Sequence, residues 1–142
     1  MGKLKEKDVV DYLIRNWDVL FGGEELYFYK AEFRVTDNWR ADVLAYVNLP
    51  CPDNPNAIYR APVYMEVKYN NNYRDLIYEL EKGLNYINHP SKNPDYPRYL
   101  AVIVDDTIDA TSLEYIKNNK IPCYMYTMQD EDLTTLSISM YE

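Results

Sequence analysis

Apolar residues recur along this chain with two different periods, and the order of those periods leaves few architectures open. From Leu4 to Phe21, the residues Val10, Leu13, Ile14, Trp17, Leu20 and Phe21 fall three and four positions apart, which makes one stripe on a helix. Gly22-Gly23 ends it. Leu26–Val35 (LYFYKAEFRV) and Arg40–Val47 (RADVLAYV) alternate instead, with Thr36-Asp37-Asn38-Trp39 as the turn of a hairpin. Asn48–Pro62 holds four of the eight prolines and is expected to be a long loop. Val63–Tyr69 (VYMEVKY) is a third strand. A helix then opens at Asn70-Asn71-Asn72 and runs to about Ile87 on the stripe Tyr73, Leu76, Ile77, Leu80, Leu84, Ile87. Tyr99–Val104 (YLAVIV) has the short apolar run of a strand covered on both faces. Helix Ala110–Asn118 and strand Ile121–Thr127 follow, and the segment from Asp130 to Glu142 is ambiguous. The order α-β-β-β-α-β-α-β predicts an α/β fold: one domain over residues 1–142, a mixed sheet with helices on its faces.

Composition removes several chemistries. The chain has one histidine, His89, so a Ser-His-Asp or Cys-His arrangement depends on that residue alone. Cys51 and Cys123 stand far apart with no C-x-x-C, which is neither redox nor zinc spacing, and two free thiols in a reducing compartment are expected. No apolar run approaches the ~20 residues of a membrane span, and the Lys-rich start lacks a signal-peptide core. The expectation is a soluble cytoplasmic protein with no membrane partner. A net charge of -8 argues against non-specific coating of nucleic acid, yet it makes clustered carboxylates, and a hard divalent cation held by them, worth seeking.

Such carboxylates occur inside strands. Asp42 interrupts the apolar second strand, and Glu66 and Lys68 interrupt the third. Residues two apart on a strand share a face, so Glu66 and Lys68 point together, opposite Met65 and Val67. Carboxylates at strand centre are costly unless something is bound there. Two of them suit Mg²⁺ or Mn²⁺ that keeps several waters, and such an ion activates water and stabilises charge on a phosphoryl group. Lys68 beside them would orient that water or neutralise developing charge. An ordinary cross-strand ion pair on a solvated face is the other reading of the same residues.

Helix, strand, strand with Arg40-Ala41-Asp42, loop, strand with Glu66-Val67-Lys68, then helix: this succession resembles the PD-(D/E)xK nuclease superfamily. The stretches KEKDVVDYLIRNWDVLFGGEEL and GLNYI look most like the nuclease domain of archaeal mismatch- and branched-DNA endonucleases, and more distantly like Holliday junction resolvases. The likeness covers about residues 4 to 127. It implies a restriction-endonuclease-like sheet. It makes Asp42 and Glu66 metal ligands, adds the Val67 carbonyl as a further contact and makes Lys68 the catalytic lysine. The activity implied is Mg²⁺- or Mn²⁺-dependent hydrolysis of phosphodiester bonds in DNA, whether single-stranded, duplex or branched, by a chain that can form a homodimer. Many members carry a Gln on the next helix four residues before a Tyr; counting back from Tyr86 gives Lys82 here, a departure. A catalytically inactive nuclease-fold module that binds a protein partner or nucleic acid is the alternative function.

Glu6 falls on the apolar stripe of the first helix, one turn before Val10, whereas Asp8, Asp11 and Asp18 fall opposite. Family members often project a Glu from this helix into the site, which would add Glu6 to the catalytic set. An exposed first-turn Glu favoured by the helix dipole is the other reading. Lys30, Arg34, Arg40, Arg74 and Lys82 are the cations available for phosphates, although Glu32 and Arg34 are expected to form a surface pair. Asp105-Asp106 reads as the turn that approaches a helix, and His89 as a loop residue. Tyr27, Tyr29, Tyr64, Tyr69 and Tyr73 are able to stack on bases, with core or rim packing as the expected role of each.

Overall fold

The computed structural model describes residues 6–69, 72–128 and 136–141. Its elements are helices α1 (Glu6–Arg15) and α2 (Trp17–Phe21), a 3-10 turn at Gly22–Glu24, strands β1 (Tyr27–Thr36), β2 (Trp39–Cys51) and β3 (Asn54–Val67), helix α3 (Leu76–Ile87), strand β4 (Tyr99–Asp105), helix α4 (Ala110–Asn118), and strands β5 (Cys123–Met128) and β6 (Leu136–Tyr141). The fold is α/β. Among the described residues the sheet holds six strands in chain order, antiparallel from β1 to β3, parallel from β3 to β5, and antiparallel again at β6.

Two cores sit on the two faces of this sheet. On one, Val9, Leu13, Trp17 and Phe21 of α1 and α2 pack on Val43, Ala45, Val63, Met65, Val67, Ala101 and Ile103. On the other, Leu76 and Leu80 of α3 and Ile116 of α4 pack on Leu44, Tyr64, Leu100, Val102 and Cys123. The first helix is not continuous as the stripe predicts. It breaks at Asn16, whose side-chain amide turns back onto the Tyr12 carbonyl at 2.9 Å and competes with the backbone ladder. Helix α4 has the predicted bounds, because the Asp109 carboxylate caps it by accepting from the Ser112 N–H at 2.9 Å. Asp105 and Asp106 lead into that cap as expected, and Asp105 is buried. Helix α3 begins at Leu76, later than Asn70-Asn71-Asn72 implies; Asn70 and Asn71 lie outside the described residues.

The loop expected over 48–62 is instead a β-ribbon. Strands β2 and β3 pair from Val43↔Met65 out to Cys51↔Asn54, closing on a turn at Pro52-Asp53. Pro50 faces Ile58 and Pro62 faces Tyr46. The two pairs lie four residues apart, so they belong to one class of the alternating ladder. A residue without an N–H fits only the class whose amides point out of the pair. At Pro50 that outward side is open, since β1 stops pairing at Tyr46. At Pro62 it is open because β4 joins only from Val63. The ribbon thus extends past its neighbours, where proline costs the sheet nothing. Of the segment after Asp130, residues Leu136–Tyr141 form the edge strand β6.

Candidate functional site

The site lies where β2 parts from β3. Pairing of the two strands stops at Val43↔Met65, and the next amide of β3 that would face β2, Val67 N–H, donates instead to the Asp42 carboxylate at 2.8 Å. A side chain therefore takes the place of a backbone carbonyl at the mouth of the opening. Glu32 stands in the neighbouring strand, between the pairs Ala31↔Val43 and Phe33↔Ala41, with a left-handed φ of 51°. This kink changes the face that the hairpin presents. Phe28 and Ala31 belong with the core under α1 and α2, whereas Phe33, Val35, Trp39 and Ala41 belong with the core under α3. The hairpin end thus turns its apolar residues to the core under α3.

Glu66 faces α3 and is 3% exposed. Its Oε1 accepts the Trp39 indole N–H at 3.0 Å. The Glu66 and Asp42 carboxyls lie close enough to act on each other. Burial, then the Asp42 charge, pushes the Glu66 carboxyl up to about 9, with Glu79 of α3 adding to the effect. Burial also raises Asp42, opposed by the Val67 N–H, by Glu66 and by the Lys68 ammonium. Glu66 is accordingly the protonated member. Lys68 is half-buried; its backbone N–H joins β4 through the Ile103 carbonyl, and its charge acts on Asp42.

Three residues of this site escape the sequence reading. Trp39 is placed in a turn by its neighbours, yet it opens β2, is 3% exposed and fixes Glu66. Its signal is the two-residue spacing Trp39, Ala41, Val43, which extends the strand backwards. Gly83 allows α3 to approach: a Cβ there would meet Leu100 Cδ1 at 2.8 Å and Trp39 Cζ2 at 3.1 Å. Glu79, one turn before Gly83, puts its charge near Glu66. Lys82 is held elsewhere, donating to the Asn38 carbonyl at 2.9 Å and lying 3.8 Å from Glu79.

Asp42, Glu66 and Lys68 are thus neighbours, and Val67 stands between the last two with its N–H on Asp42. Glu6 opens α1, but its side chain lies outside the described residues. Arg34 and Arg40 face each other across the hairpin and are exposed; no ion pair joins either to a carboxylate among the described residues, including Glu32. Lys30 and Arg74 are also exposed. Tyr64, Tyr69 and Tyr73 are buried, whereas Tyr27 and Tyr29 are exposed. His89 lies in the loop after α3, bonded to Ser91. Neither cysteine pairs with the other.

Among the described residues no group of three His, Cys, Asp or Glu side chains is placed to hold a metal ion, and no helix is long and apolar enough to cross a membrane. Comparison of the chain with protein-family models and with curated proteins gives no match.

Proposed function

We propose that the chain is a divalent-metal-dependent nuclease of the PD-(D/E)xK kind, hydrolysing DNA phosphodiester bonds at Asp42, Glu66 and Lys68. The observation that carries this reading is the meeting of two carboxyls at the split of β2 and β3, Asp42 on the Val67 N–H and Glu66 on the Trp39 indole, beside a lysine. A pair of buried acids that must share a proton is a costly arrangement for stability alone.

The donor set fits a small hard cation. Asp42 Oδ2 is engaged by the Val67 N–H and Glu66 Oε1 by the Trp39 indole, which leaves the second oxygen of each carboxyl for a cation. Mg²⁺ and Mn²⁺ are commonly held by one or two carboxylates, with waters and substrate phosphate completing the shell. Bound there, such an ion would supply Lewis acidity toward a phosphoryl oxygen and a water of lowered pKa. The protein's own part follows from the geometry. Trp39 and the Val67 N–H fix the two carboxyls before substrate arrives. The Lys68 charge sits beside Asp42, suited to neutralise negative charge that grows on a phosphate in the transition state. Arg34 and Arg40, like charges facing across a strand pair, gain when a phosphate comes between them.

The test is incubation with labelled single-stranded, duplex and branched DNA in Mg²⁺, Mn²⁺ or chelator, alongside melting curves. Product from at least one DNA in metal, none in chelator, and a metal-induced rise in Tm are expected. Absence of product from every DNA in Mn²⁺ refutes the reading.

A further inference from the structure

Across the outer part of the β1–β2–β3 sheet, three planar groups form one row. Tyr27 of β1 stacks on Tyr46 of β2 with ring centroids 5.4 Å apart and an interplanar angle of 29°. The Arg60 guanidinium of β3 lies over the other side of this row, 5.1 Å from the Tyr46 centroid. Beside them Tyr29, Leu44, Ala45, Tyr46, Arg60 and Pro62 line a pocket of about 180 Å³. Tyr29 reaches it because β1 bulges there: Phe28 pairs with Ala45 and Lys30 with Leu44, so Tyr29 is the extra residue, and it is 61% exposed.

Charge separates this patch from an ordinary aromatic surface. The chain carries a net -8, yet the patch holds Arg60, Lys30 follows Tyr29 in β1 opposite Leu44, and no ion pair joins either cation to a carboxylate among the described residues. Exposed phenol rings, a guanidinium already stacked on one of them and unpaired positive charge match a ligand with flat π-faces on an anionic backbone. A duplex buries its base faces and offers phosphates and groove edges instead. A single strand offers both.

From these observations we infer that the exposed rings of Tyr27 and Tyr29, with Tyr46 and Arg60 packed behind Tyr27, form a base-stacking platform for single-stranded DNA. The inference deepens the nuclease reading and rests on it for where the strand leads. Tyr46 and Asp42 are four residues apart on β2, roughly 13 Å at strand rise, so a strand stacked on the row needs only a few nucleotides to bring a phosphate to the split between β2 and β3.

Binding is separable from cleavage. The probe is a short fluorescein-labelled oligothymidylate, read by fluorescence anisotropy in chelator at low ionic strength, with an abasic oligonucleotide of equal length as its control. Wild-type protein is expected to bind the oligothymidylate roughly fivefold or more tighter than the abasic strand, as loss of one stacked base implies. Tyr27→Ala, Tyr29→Ala and Arg60→Ala are each expected to weaken oligothymidylate binding by a similar factor. Equal binding of the two oligonucleotides, wild-type affinity in all three platform variants, or no binding at all overturns the inference. So does a concentration-dependent dimer abolished by Tyr29→Ala, which assigns the patch to a second copy of the chain. If DNA is cleaved in metal while the platform variants bind normally, the platform fails and the nuclease reading stands. If the variants lose binding and no DNA is cleaved, the platform stands and the nuclease reading fails.

Discussion

The Asp42 and Glu66 carboxyls meet where β2 leaves β3, and burial, then the Asp42 charge, favours the protonated form of Glu66. Folding therefore favours the neutral form of Glu66, which is pushed up to about 9 from an ordinary 4.5. The native state holds more protons than the unfolded chain between those values. Stability of the metal-free protein must then fall as pH rises through that window. Glu66→Gln removes the ionisation while keeping shape and an acceptor for Trp39. In chelator it is expected to raise Tm at pH 8 by roughly 5 °C and to flatten the decline above pH 4.5. Melting curves across pH check both; an unchanged slope contradicts a buried, protonated Glu66.

Asp42 has a structural duty that its charge does not explain. Its carboxylate accepts the Val67 N–H, and Val67 is fully buried. Asp42→Ala leaves that amide unsatisfied and is expected to cost about 1–3 kcal/mol in chelator. Asp42→Asn keeps an acceptor there and is expected to retain most of that stability while losing metal-induced stabilisation. Denaturant titrations of both variants, with and without Mn²⁺, separate the two duties.

Gly83 holds α3 against Trp39 and Leu100. Alanine is the better helix residue by about 1 kcal/mol. Leu100 is buried, however, and both its terminal methyls lie within 3.0 Å of the added carbon, with the rigid Trp39 ring at 3.1 Å. Overpacking of this kind costs about 1–3 kcal/mol, so it outweighs the propensity gain. Gly83→Ala is expected to lower stability by about 1 kcal/mol and to perturb Trp39 fluorescence. A gain in stability contradicts the close packing.

Glu32 adopts a left-handed conformation that costs an L-residue about 1–2 kcal/mol. Glu32→Gly relieves this at some cost in unfolded-state entropy, for a net gain of up to about 1 kcal/mol. Glu32→Val, with a β-branched side chain at the same φ, is expected to be destabilising. Equal stability of the two variants contradicts the kink.

Much of the architecture is legible in the sequence because hydrophobic period and strand face are the same physical fact. The alternation in Val63–Val67 requires Glu66 to oppose Met65 and Val67, and it does. The Asp109 cap is legible in the same way, from a short acceptor ahead of an apolar-periodic run. The β2–β3 ribbon is not, because Pro50 and Pro62 signal a loop unless the pairing class of each is known, and that class depends on the register with a distant segment. Nor does the spacing of Tyr residues tell which face a helix covers, so Tyr64 and Tyr73 under α3 look no different from Tyr27 and Tyr29 in the open. The positive φ at Glu32, beside the parting of β2 from β3, falls on a residue type that gives no local warning of it.

The reaction itself is tested most directly by cleavage kinetics in Mn²⁺ on the best DNA substrate, comparing wild type with Lys68→Ala. In the proposed function Lys68 would act through its charge beside Asp42, so its loss is expected to abolish cleavage while Mn²⁺ still raises Tm, one positive charge having left the site. Undiminished cleavage by Lys68→Ala, or product that persists in chelator, would contradict the assignment of Asp42, Glu66 and Lys68 as a metal-dependent nuclease site.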